Sequence, residues 1–185
     1  MDSYMELMLK QLETKEQKEA RKKRMEELYR EAVEKNEIME EQEFALDHVL
    51  YYHGEIMEYK LGELIDRMMT LVEKWGAEPT GFPVTVLYHE EDGYYEGEIY
   101  LPLDREISPE EDFCYKEKVR IYHALKIEKK GKIDSLQDLY DKLEAYRIAK
   151  GWKAQTFPFS VTTAGSDNEE DWTTAVYVGI NKNVI

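Results

Sequence analysis

Glu98 and the tyrosines around it are the residues of this 185-residue chain best suited to binding chemistry. In Tyr94–Leu103 (YYEGEIYLPL), Glu96, Glu98 and Tyr100 alternate with Gly97, Ile99 and Leu101. Successive side chains of a strand point to opposite faces, so the two acids and the phenol share one face and Ile99 and Leu101 the other. If the apolar face packs on helices, Glu98 and Tyr100 look into any cleft the sheet forms. A carboxylate among phenol rings attracts positive charge through its own charge and through the electron-rich ring faces. Partial burial sharpens that preference, because desolvation penalises a lone carboxylate. The same alternation also fits a solvated sheet face, so both readings stand at this point.

Tyrosine is abundant, with 14 in the chain. Tyr52, Tyr88, Tyr122 and Tyr177 fall, like Tyr100, on predicted strands. Together with Glu98 they form the candidate ligand-binding set. Each offers a flat apolar body and a polar tip, which suits a pocket or an interface. Tyrosine also has high strand propensity, so some of them serve only to fill the sheet.

Other chemistry is poorly supplied. Cys114 is the one cysteine, and the four histidines (His48, His53, His89, His123) have no metal-ligand spacing. No glycine-rich phosphate loop is present. Neither a metal nor a cofactor is therefore expected, and no catalytic residue is assigned. A hydrolytic activity would have to use Glu98 with Tyr100 or Tyr177. Acids outnumber bases 40 to 25, a net charge of −15, which argues against nucleic acid and suits a cationic small molecule or a basic protein surface. No apolar run approaches the ~20 residues that span a bilayer. The opening MDSYMELMLKQLE does not read as an export signal, so the cytoplasm is the expected location.

The elements that position these residues show in the sequence pattern. Residues 1–40 contain no Gly or Pro and are rich in Glu, Lys, Met, Leu and Ala. They read as one long charged helix with a thin apolar stripe (Met5, Met8, Leu12, then Met25, Leu28, Ala32). Such a helix either lies across the domain or protrudes from it, or serves as an arm for homodimerisation or docking to a protein partner. Residues 41–185 read as one domain. Glu43–Tyr52 is a predicted strand that His53-Gly54 ends, and Glu55–Trp75 a predicted helix. Val84–His89 and Tyr94–Leu103 then form a hairpin. After an acidic connector the order recurs: a strand over Lys116–Ile127, a helix capped by Ser135 and running to Lys150, and strands over Phe157–Thr163 and Trp172–Ile180.

Landmarks repeat at nearly constant offset. Trp75-Gly76 and Gly151-Trp152 end the two helices, and Gly81-Phe82-Pro83 and Thr156-Phe157-Pro158 open the two hairpins. Pro83 and Pro158 are 75 residues apart, and Tyr100 and Tyr177 are 77. Repetition in matched order implies a duplicated α+β fold: two strand–helix–strand–strand modules, about 44–103 and 116–182, related by a pseudo-two-fold axis.

Tyr52-His53-Gly54, the helix ending at Trp75-Gly76, GFPVTVLYH and GEIYLPL resemble the first half of the GyrI-like effector-binding domain. KGKIDSLQDLYDKLEAY, TFPFSV and DWTTAVYVGI resemble its second half. The resemblance implies a concave antiparallel sheet with helices behind it. It also implies a role among drug-sensing domains of transcription activators, stand-alone gyrase-inhibitor-like proteins or, occasionally, hydrolases. Two departures bear on function. The extra forty residues hold one charged helix where activators carry a helix-turn-helix, which points to a stand-alone binding protein or a subunit. The family's cation-binding glutamate falls here on Ala175, while the symmetry-related position in the first half keeps an acid, Glu98. Ligand recognition is thus expected either to be rebuilt around Glu98 or to be lost, which leaves an interaction protein of the same fold.

Overall fold

A computed structural model of the chain describes residues 14–57, 60–91, 94–109, 112–133, 135–163 and 168–182, and for 87–91, 94, 95 and 169 the backbone alone. The order of elements is α1 (Lys15–Glu34), β1 (Ile38–Met57), α2 (Leu61–Lys74), β2 (Val84–Glu91), β3 (Tyr94–Pro102), β4 (Phe113–Lys130), α3 (Leu136–Ala149), β5 (Lys153–Ala154), β6 (Phe159–Thr163), a 3-10 turn and β7 (Thr173–Asn181). The duplicated α+β architecture expected from the landmarks is the one found, with strand, helix and hairpin in the same order in each half. No described helix is long and apolar enough to cross a membrane.

All seven strands join one antiparallel sheet in the order β4-β1-β3-β2-β6-β7-β5. β4 also pairs with β7, so the hydrogen-bonded pairings run in a closed circuit. The long strands make this possible by changing partner along their length. β1 pairs with β4 over Ile38–Tyr52 and with β3 over Val49–Met57. β1 carries register shifts between Met39 and Phe44, where Glu41 takes a left-handed conformation (φ 53°). Such bulges increase local twist and curl a sheet.

The convex face carries two hydrophobic cores, one for each half. In the first, α2 lays Leu64, Met68 and Val72 on Leu50, Ile56, Ile99 and Leu101. In the second, α3 lays Leu139, Leu143 and Tyr146 on Leu125, Ile127, Val176, Val178 and Ile180. A third, smaller cluster lies apart from both: Val84, Val86 and Phe159, with Phe44, Tyr100, Ile121 and Tyr177 packed against them.

Several boundaries differ from the sequence reading. The first helix stops at Glu34, because Asn36 adopts a left-handed conformation (φ 49°) and the Glu37 amide closes back on the Ala32 carbonyl at 3.0 Å. Its N-terminus is set by a capping box, in which Thr14 and Gln17 bond each other's backbone amides at 2.9 and 3.2 Å. Met5, Met8 and Leu12 fall outside the described residues. The helix lies on the second half: Leu28 and Ala32 are buried, Tyr29 meets the Tyr146 ring, and Arg24 reaches Asp138 and Asp141 at 3.8 and 3.7 Å. β1 starts at Ile38 and does not end at Gly54, which sits opposite Gly97 in the β3 register, so the ladder continues to Met57 and α2 begins at Leu61. β4 is longer than expected at both ends, and β5 was not anticipated. Ser135 caps α3 as predicted, accepting from the Asp138 amide at 3.4 Å.

Candidate functional site

Strand alternation on β3 has the expected consequence. Ile99 and Leu101 are buried under α2, and Glu98 and Tyr100 project from the opposite, concave face. There a pocket of about 280 Å³ is lined by Val84, Val86, Tyr100, Ile121, Phe157 and Phe159, among others, and Glu98 is the charged residue of its described lining. Pockets of roughly this size, mostly apolar with one placed polar group, are the usual form of a small-molecule site.

Two phenols hold the Glu98 carboxylate. Tyr51 donates to Oε1 at 2.5 Å and Tyr100 donates to Oε2 at 2.8 Å. Register explains the meeting: Tyr51 on β1 lies directly across from Tyr100 on β3, and their ring centroids are 5.1 Å apart. Each carboxylate oxygen therefore has its own neutral donor. Among the described residues, no lysine or arginine forms an ion pair with Glu98.

The pocket floor is aromatic. Phe159 stacks on Tyr177 at 5.6 Å with an interplanar angle of 12°, and Phe44 meets Phe159 edge-on at 4.8 Å. The rim belongs to the segment after β5. Thr156 Oγ1 accepts from the Gly179 amide at 2.9 Å. A Cβ on Gly179 would lie 3.0 Å from Thr156 Cγ2 and 3.1 Å from Ile121 Cγ2, so any larger residue there would press on both side chains of that rim.

Of the six residues singled out from sequence, Glu98, Tyr100 and Tyr177 gather on the concave face. Two do not join them. Tyr52, next to Tyr51, points to the convex side, where it packs on the first core beside Phe113 and donates to the Glu55 carbonyl at 2.9 Å. Burial, with the Asp112 carboxylate adding to it, raises the pKa of that phenol. Tyr122 is 66% exposed and lines none of the pocket. The Tyr88 side chain lies outside the described residues. Sequence reasoning did not include Tyr51 in the set, nor Phe44 or Phe159. Phe157 was visible only as a repeated landmark.

The pseudo-two-fold exposes what became of the other half. Tyr100 pairs with Tyr51, and its counterpart Tyr177 pairs with Lys126. Glu98 pairs with His53, and its counterpart Ala175 pairs with Glu128. The second half thus has a lysine where the first has Tyr51 and an alanine where the first has its acid. Lys126 closes an ion pair with Glu128 at 2.5 Å, and its Nζ lies 5.6 Å from the Tyr177 ring centroid. A cation of the protein's own already occupies that half.

No protein-family model matches the chain, and no curated protein matches it. Among solved structures it is similar to EcmrR in its complex with DNA, with a TM-score of 0.66 and 15% identity, over 86% of this chain and 64% of that one. It is also similar to the separate EcmrR C-terminal domain, with a TM-score of 0.59 and 16% identity, over 78% of this chain and 98% of the domain. The chain therefore spans less than two thirds of EcmrR as found with DNA. At these identities the likeness shows a shared fold alone, and the site must be read from its own residues.

Proposed function

We propose that this protein is a small-molecule receptor that takes an amphipathic monocation into the concave pocket, with Glu98 as the counter-charge. One observation carries the reading: a carboxylate stands in an aromatic and aliphatic pocket, held by two phenol hydroxyls and by no basic side chain among the described residues. Neutral donors fix the direction of the carboxylate without cancelling its charge. An apolar wall excludes water and strengthens attraction to a cation that brings its own apolar surface. Phe44, Phe159 and Tyr177 add ring faces to the same cavity wall or just behind it. The fold shared with the EcmrR C-terminal domain is compatible with such a role.

The test compares a lipophilic cation with a neutral molecule of nearly the same shape: methyltriphenylphosphonium against triphenylphosphine oxide, by calorimetry and thermal shift. The cation binds more tightly than the oxide. Glu98→Gln weakens the cation about tenfold to a hundredfold, roughly 1.4–2.8 kcal/mol, and leaves the oxide nearly unchanged. A normal melting transition with no response to any lipophilic cation refutes the reading.

A further inference from the structure

Lys116 stands against the two phenols that hold this carboxylate, and among the described residues it forms no ion pair with Glu98. It lies on β4 opposite Val49, on the strand that flanks the Tyr51 end of the site. Its Nζ is 3.6 Å from the Tyr51 ring centroid and 5.3 Å from that of Tyr100. These are the two phenols whose hydroxyls hold Glu98. The rings are therefore used twice, with their hydroxyls serving the acid and their faces serving an ammonium group. An ammonium at 3.6 Å from a ring centroid is a close cation–π contact. The cluster consequently holds one negative and one positive charge, and the ring face of Tyr51 is already taken.

The second half repeats the device in another form. Lys126 stands against Tyr177, the counterpart of Tyr100, but has a carboxylate partner in Glu128. β4 thus sets a lysine against the closing-strand tyrosine of each half, Lys116 near Tyr100 and Lys126 near Tyr177. Lys116, reaching across from β4, rests on ring faces with no ion pair among the described residues, and Glu98 is left to the pocket.

Resting on the reading of the pocket as a cation site, we propose that Lys116 sets its charge selectivity, as a tethered cation that competes with the charge of the ligand. A ligand cation must either approach a charge-balanced cluster or displace Lys116 from the Tyr51 face. A small hydrated ion gains too little from the pocket to do so. A cation with a large apolar body offsets the electrostatic disadvantage by filling the aliphatic and aromatic walls. Without Lys116 the cluster carries a net negative charge, and the affinity for any monocation rises.

The experiment measures methyltriphenylphosphonium and triphenylphosphine oxide on the full chain with Lys116, Lys116→Met and Lys116→Arg, at low and high sodium chloride. Methionine keeps the apolar stem and removes the charge. Lys116→Met is expected to bind the phosphonium about tenfold tighter, the size of one screened charge at this range, with the oxide unchanged. Its affinity for the cation falls more steeply with salt than that of the parent chain, because an uncompensated charge is the one that salt screens. Lys116→Arg returns both affinity and salt slope to those of the parent. If the parent binds the phosphonium and Lys116→Met binds it equally or more weakly, the inference fails while the cation site stands. If neither binds it although both melt normally, the cation site and the inference fall together.

Discussion

Each oxygen of the Glu98 carboxylate accepts from a different phenol, so the two hydroxyls have separable effects. Tyr51→Phe removes the donor to Oε1 and keeps the ring on which Lys116 rests. Methyltriphenylphosphonium binding should fall by a few-fold, about 1 kcal/mol, the usual net worth of one protein hydrogen bond, since water can partly replace the lost donor. Titration calorimetry checks this, and a loss as large as that of Glu98→Gln would mean that Tyr51 contacts the ligand itself. Glu98 was legible in the sequence because alternation on a single strand fixes its face. Tyr51 was not, because its pairing with Tyr100 joins positions far apart in the chain through a register that no local pattern records. Choosing Tyr52 is the same difficulty seen from the other side. Adjacent strand residues face opposite ways, so a slip of one exchanges core for pocket.

Ion pairs and one buried stripe fix the N-terminal helix to the second half. Lys142 on α3 bonds Glu37 at 2.8 Å and Glu31 at 3.3 Å, bridging α1 and the start of β1. Next to them, Tyr146 on α3 donates to Glu40 on β1 at 2.6 Å, and Lys150 lies 3.5 Å from the same carboxylate. The hydrogen bond from Tyr146, with the charge of Lys150 adding to it, holds the Glu40 pKa below its ordinary value of 4.5. A carboxylate depressed in the folded state stabilises the fold above its unfolded pKa and loses that contribution as pH falls through the folded value. Glu40→Gln should therefore lower stability at pH 7 by about 0.5–1 kcal/mol, a modest amount because the side chain is partly solvated. The gap to the parent should close as pH drops below 4.5, which urea melts at several pH values would show. A gap that is constant with pH would mean that packing is what is lost. Composition made the helix legible, and Leu28 and Ala32 belonged to its apolar stripe. Its docking face on α3 was not legible, since the charges that complete it lie more than a hundred residues downstream.

At the scale of the whole molecule, the two halves meet along two seams of unequal strength. β1 and β4 form a ladder from Ile38 to Tyr52, whereas β2 and β6 share one residue pair, Thr85 with Ser160. Duplication was readable from landmarks that recur at constant offset. Closure of the sheet was not, because it depends on which distant strands pair, and local sequence sets only their existence. The pocket lies on the weak seam, with Val84 and Val86 from one half and Phe157 and Phe159 from the other. Segments with few ladder bonds open locally at low free energy, so amides near Thr85 and Ser160 should exchange with deuterium well before those of β1 and β4. A ligand that touches both walls cannot bind the opened seam and must therefore stabilise the closed one. With methyltriphenylphosphonium near saturation at a hundred times its Kd, opening of the seam should become about a hundredfold rarer. Hydrogen exchange read by mass spectrometry should show this slowing in peptides covering residues 84–86 and 159–161, with little change in α1. Equal protection throughout the chain would show that the ligand is linked to global unfolding alone. Protection confined to one half would place the ligand on one wall of the pocket rather than across the seam.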